Sequence, residues 1–152
     1  MKRYLLGLCW LLLPSLLSAA QSSPVVHHDL KVQISPDDAT LRVRDGIRLP
    51  SEVQRFEFLL HQALTPTSMT EGASIQALGS YQGRVPTRHY RVQFERPSRT
   101  FSLEYSGRIE HQLQTRSQNY AGGRASSPGL ISTEGVFLSA ASDWFPLIED
   151  RL

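Results

Sequence analysis

Residues 30–49 read LKVQISPDDATLRVRDGIRL. Leu30, Val32 and Ile34 alternate with Lys31, Gln33 and Ser35. Successive side chains of a strand point to opposite faces, so this alternation predicts a strand with one buried face. Pro36-Asp37-Asp38 then closes it, because proline fixes φ and aspartate favours tight turns. Leu41, Val43, Ile47 and Leu49 resume the alternation in one phase, with Arg42, Arg44 and Arg48 in the other. Asp45 falls in the apolar phase. Asp45-Gly46 reads two ways: as a two-residue hairpin turn, or as a bulge at Gly46 within one long strand.

The same pattern extends along the chain. Phe56, Phe58 and Leu60 alternate with Glu57 and His61, and a short candidate strand runs from Ser74 to Leu78. Tyr90, Val92 and Phe94 alternate with Arg91, Gln93 and Glu95. Phe101, Leu103 and Tyr105 alternate with Ser102 and Glu104 until Ser106-Gly107 interrupts, and Val136 to Leu138 is a last apolar run. Pro, Gly, Ser and Thr fill the gaps, as strand connections require. Beyond residue 20 no window of eleven residues carries a strong helical period. Gln112 to Gln118 offers at most a polar turn of helix with no apolar face. Residues 115–128 (TRSQNYAGGRASSP) read as a surface loop. Many short strands without intervening helices predict an all-β fold, an antiparallel β-sandwich of two sheets. Its expected interior is Leu30, Val32, Ile34, Leu41, Val43, Phe56, Phe58, Val92, Phe94, Phe101, Leu103 and Tyr105.

The first twenty residues set the expected compartment. Lys2 and Arg3 precede an apolar run from Leu5 to Leu17, and Ser18-Ala19-Ala20 supplies small residues before Gln21. This is the layout of a cleavable signal peptide, shorter than the roughly 20 apolar residues a spanning helix needs. Two regions are therefore expected: a signal peptide over 1–20 and a single β-domain over 21–152, exported to the periplasm or outside the cell. The 152-residue chain has 16 Lys+Arg and 14 Asp+Glu. Removing Lys2 and Arg3 leaves 14 against 14, which gives no charge-based case for nucleic acid or anionic membrane. Cleavage also removes Cys9, the only cysteine, so the mature chain is expected to form no disulfide.

A search for chemistry along the chain finds little. A zinc peptidase carries two imidazoles one helical turn apart and a glutamate base, His-Glu-x-x-His. The five histidines are His27, His28, His61, His89 and His111, and none is followed by glutamate or by a histidine four residues on. His27 and His28 are adjacent on a strand, so they point to opposite faces and do not easily share an ion. There is no Gly-x-Ser-x-Gly elbow, and Gly122-Gly123 lacks the strand–loop–helix setting of a phosphate loop. Glu104 and Glu110 are carboxylates that the fold could pair. Tyr81, Tyr90, Tyr105, Trp144 and Phe145 could line a sugar site, although Tyr90 and Tyr105 fall in the apolar strand phase. No catalytic, cofactor-binding or metal residue is therefore named.

The stretch from His28 to Pro36, followed by Leu41-x-Val43-x-Asp45-x-Ile47-x-Leu49-Pro50, resembles the opening of the N-terminal β-domain of gluzincin aminopeptidases, peptidase family M1. Phe101-Ser102-Leu103-Glu104-Tyr105-Ser106-Gly107 is similar to a later strand of that domain. Gly135-Val136-Phe137-Leu138-Ser139 and Ser142-Asp143-Trp144-Phe145-Pro146 are similar to its closing segment, in the same order. The resemblance covers Val26 to Pro146 and implies one strand rather than a hairpin over 41–49. The family's zinc site and its Gly-x-Met-x-Asn motif belong to the following domain, so none of its zinc ligands carries over to this chain. Zinc would be bound by a catalytic domain missing from this chain.

Two functional expectations follow. In the first, the chain is a non-catalytic N-terminal scaffold, a fragment or truncated form of a secreted aminopeptidase-like protein. Its partner would be the missing catalytic domain, packing near Trp144 and Phe145, because large apolar groups near a terminus pack on something. In the second, it is a free-standing periplasmic or extracellular module binding a peptide, a glycan or a partner protein.

Overall fold

The computed structural model describes residues 25–112, 114–115 and 125–148. The proposed signal peptide, with its cleavage point, lies outside the described residues, as does most of the 115–128 loop. The fold is all-β. Its strands are β1 (His27–Ser35), β2 (Thr40–His61), β3 (Leu64–Ser68), β4 (Ala73–Gln82), β5 (Pro86–Arg108), β6 (Gln114–Thr115), β7 (Ala125–Ser126), β8 (Gly129–Ser132), β9 (Gly135–Leu138) and β10 (Leu147–Ile148). A short 3-10 turn, Ala140–Ser142, precedes β10.

Six strands make the main antiparallel sheet, ordered β1-β2-β5-β3, with β10 added to β2 and β4 to β5. Two strands dominate it: β2 has 22 residues and β5 has 23. They pair from Thr40↔Arg108 to His61↔Thr87. Sequence alternation suggested four separate strands here, with connections at 50–55 and 96–100. The structure merges them, because these stretches stay extended and absorb their extra residues as register shifts between Arg48, Val53 and Arg55. A bulge accommodates an unpaired residue without ending a strand. Asp45-Gly46 is neither hairpin nor bulge: Gly46 pairs in regular register with Asp29 on one side and Ser102 on the other. The segment 41–49 is one strand.

The register shifts divide the sheet. One half pairs β1 with residues 40–48 of β2, then 100–108 of β5, then β3; the other pairs β10 with 58–59 of β2, then 87–93 of β5, then β4. The aromatic rings join the halves. Phe101 of the first half lies 5.5 Å from Phe56 and 5.9 Å from Phe94 of the second, both edge to face. Around them Leu41, Val43, Ile47, Leu49, Phe58, Leu60, Leu64, Val92, Leu103 and Tyr105 are buried.

Of the expected interior, nine residues are buried, and β1 departs. Leu30 is half-buried, while Val32 and Ile34 are 40% and 39% exposed. Their phase is right, since Val32 pairs with buried Val43 and Ile34 with buried Leu41. Alternation reports the face, but β1 is the edge of the sheet, and the packing that covers the face runs out there. The Pro36-Asp37-Asp38 turn forms as expected, closed by the Ala39 N–H donating to the Pro36 carbonyl at 3.2 Å. The helical turn suggested for 112–118 falls mainly outside the described residues, and Gln114–Thr115 is extended.

Candidate functional site

Two histidine clusters carry most of the buried polar chemistry. The first grows from the acidic residue in the apolar phase. Asp45 is 1% exposed on the core face of β2. Its Oδ2 lies 2.8 Å from Nδ1 of His28, which belongs to the neighbouring edge strand. His27, one residue earlier, is exposed, so the two adjacent histidines do part to opposite faces. The His28 ring is capped edge to face by Phe145 at 5.7 Å, and Phe145 in turn by Trp144 at 5.3 Å. Asp45 Oδ1 and the Tyr105 hydroxyl are buried beside this pair without hydrogen-bond partners among the described residues. Burial, and secondarily the Asp45 carboxylate, pushes the Tyr105 phenol well above its ordinary value.

A carboxylate on Nδ1 fixes the tautomer and orientation of an imidazole, the arrangement found behind acid–base and metal-binding histidines. In this chain its nearest neighbours are the Phe145 ring and the apolar core. The pair therefore joins β1, β2 and the Trp144-Phe145 segment.

The second cluster joins residues fifty positions apart. Nε2 of His61, at the end of β2, lies 3.0 Å from Nε2 of His111. The Ala63 N–H donates to Nδ1 of His61 at 3.1 Å. That bond leaves the neutral His61 proton on Nε2, donated to His111. Asp143 completes the junction: its carbonyl accepts from the His61 N–H at 2.7 Å, and its carboxylate accepts from the Thr87 hydroxyl at 2.9 Å. Burial lowers the His61 pKa first, the neighbouring His111 lowers it further, and Asp143 opposes both. Each imidazole thus spends its facing nitrogen on the other. Among the described residues no group of three or more His, Cys, Asp or Glu side chains is placed to hold a metal.

The remaining candidates lie on the surface. Glu57 accepts from Arg91 at 2.7 Å and sits 2.9 Å from His89 Nε2. The Arg91 hydrogen bond is the main cause of its lowered pKa. Glu104 faces Arg44 at 2.8 Å, and Glu110 faces Arg108 at 2.9 Å, so the two carboxylates meet cations rather than each other. Tyr90 and Tyr105 are buried; Tyr81 is 56% exposed and lines an open cleft with Leu59, Leu78, Gly79, Ser80 and His89. Trp144 and Phe145 are half-buried against the chain's own core.

Sequence reading flagged Asp45 as an acid in the wrong phase but not its partner. His61 fell in the outward phase, and its burial depends on His111 and Asp143, which no local pattern connects to it. Compared with family models, curated proteins and solved structures, the chain matches none.

Proposed function

We propose that this chain is an exported, non-catalytic scaffold domain of an aminopeptidase-like protein of the M1 kind, whose work is to pack against and shape another domain. The reading includes a two-sheet β-sandwich, supported by the register shifts in β2 and β5 and the meeting of Phe101 with Phe56 and Phe94. The observation that carries it is the apolar surface of the C-terminal part. Phe137 is 56% exposed, Leu147 47% and Val136 44%, and they flank in sequence the Trp144-Phe145 pair of the resemblance. Large apolar side chains left exposed are the material from which interfaces are built. The open cleft at Tyr81 favours the second reading, a binding module for a peptide or glycan, because an exposed aromatic beside Leu59 and His89 offers a stacking wall.

The test combines the coding DNA beyond codon 152 with purified residues 21–152. A reading frame there that encodes His-Glu-x-x-His, whose product binds this chain and loses it on Phe137→Asp, supports the scaffold. Chelator-sensitive cleavage of amino-acid amides by residues 21–152 alone would overturn it. Peptide or glycan binding abolished by Tyr81→Ala, without effect of Phe137→Asp, would move the assignment to the module.

A further inference from the structure

Among the described residues strand β1 is paired on one side only, with β2. Along this nine-residue strand alternate residues turn their N–H and C=O groups to the outer edge, and its core face carries the uncovered Val32 and Ile34. Such an edge is a template for another strand. The charges on its outer face indicate which one. Lys31 stands directly opposite Arg44, a second cation, and Arg44 is already engaged by Glu104. Asp29 stands opposite Gly46, which has no side chain to answer it. Both are exposed, and neither has an ion-pair partner among the described residues. Residues two apart on one strand have Cα atoms about 6.6 Å apart, and although such a gap can be bridged, as Arg108 and Glu110 do, Asp29 and Lys31 do not pair with each other.

We propose that the β1 edge pairs with the β1 edge of a second copy of this chain, antiparallel about a two-fold axis at Leu30. In that register Asp29 of each copy lies opposite Lys31 of the other, so both orphan charges are answered twice. Leu30 meets Leu30 of the second copy, Val32 meets His28, and Ile34 meets Val26, which keeps the core-facing side chains of both copies on one face. Directly opposed residues of opposite charge stabilise a ladder and like charges oppose it. Neighbouring registers fail this criterion. A register centred on Lys31 sets Lys31 against itself, and one centred on Asp29 sets Asp29 against itself. A register centred on Val32 leaves the charges facing Gln33 and Ser35 and strands residues 25–28. The Leu30 centre uses the whole stretch from Val25 to Ser35. This inference is independent of the scaffold reading, which rests on Phe137 and Leu147.

The test is sedimentation equilibrium of the chain and three variants, with melting curves confirming that each folds like the parent. The parent is expected to show a concentration-dependent dimer weakened by salt. Asp29→Lys and Lys31→Asp each turn two opposite pairs into like pairs and are expected to raise the dimer dissociation constant by about tenfold or more. The doubly reversed Asp29→Lys/Lys31→Asp chain restores the pairing and is expected to return within about threefold of the parent. A strictly monomeric parent overturns the proposal, including one whose edge captures a different protein. So does a dimer indifferent to either single reversal, or one that the double reversal does not rescue.

Discussion

Phe101 and Tyr105 share a strand, a face and nearly complete burial, yet removing part of each has opposite consequences. Phe101 bridges the two halves of the sheet through Phe56 and Phe94, so Phe101→Ala leaves a cavity where both halves meet. Such truncations cost about 3–5 kcal/mol, and a chemical denaturation curve should show the domain unfolded or nearly so; melting within a degree or two of the parent would refute the packing. Tyr105 buries a hydroxyl that finds no partner among the described residues. An unsatisfied buried polar group costs roughly 1–3 kcal/mol, so Tyr105→Phe should hold or raise the melting temperature. His61 supplies the pH dependence. Its folded pKa is lowered from the ordinary 6.5, chiefly by burial, so the unfolded chain takes up the proton first as pH falls. Stability is therefore full above about 6.5 and declines below it, until the folded pKa is also passed. Urea midpoints at pH 7.5 and 5.5 should diverge in the parent and converge in His61→Gln. In His111→Ala the His61 titration, followed by NMR, should move up toward the ordinary value, because the second lowering cause is removed.

At the scale of elements, the close approach of β3 to β5 hangs on one glycine. A Cβ on Gly107 would sit 1.9 Å from the Ala63 carbonyl oxygen. Backbone cannot swing aside as a flexible side chain can, so Gly107→Ala must displace the start of β3. Overpacking of this kind costs about 1–3 kcal/mol, and amide hydrogen exchange should accelerate first across Leu64–Ser68. Sequence alternation located every strand of the main sheet except β3 and β10. It placed breaks at 50–55 and 96–100, where the chain in fact continues. Proline and serine there are permissive of turns, but a long strand with shifted register satisfies the same residues, and the partner strand decides between them. Strand β3 escaped because Thr65-Pro66-Thr67 has no apolar alternation; its pairing with Leu103–Gly107 defines it.

For the whole molecule, export is the expectation that the N-terminal sequence carries alone. The charged start, the apolar run and Ser18-Ala19-Ala20 call for processing before Gln21. Mass analysis of the protein recovered outside the cytoplasm should find Gln21 at its N-terminus; an intact Met1 there would refute it. The chain's own sequence also determined the all-β class, the core phase of the long strands and the buried faces of Phe56, Phe58, Val92, Phe94, Phe101 and Leu103, because period two is imposed by backbone geometry. Tertiary structure alone decided how deeply each face is covered and which polar groups meet. Val32 and Ile34 carry the same signal as Val43 and Leu41 but sit at an edge, where no layer among the described residues excludes water. His28 reaches Asp45 across a strand pair, and His61 reaches His111 across fifty residues, through contacts that loop closure and packing create. Local periodicity records the direction of a side chain, whereas burial and partnership depend on what the rest of the chain brings to that side.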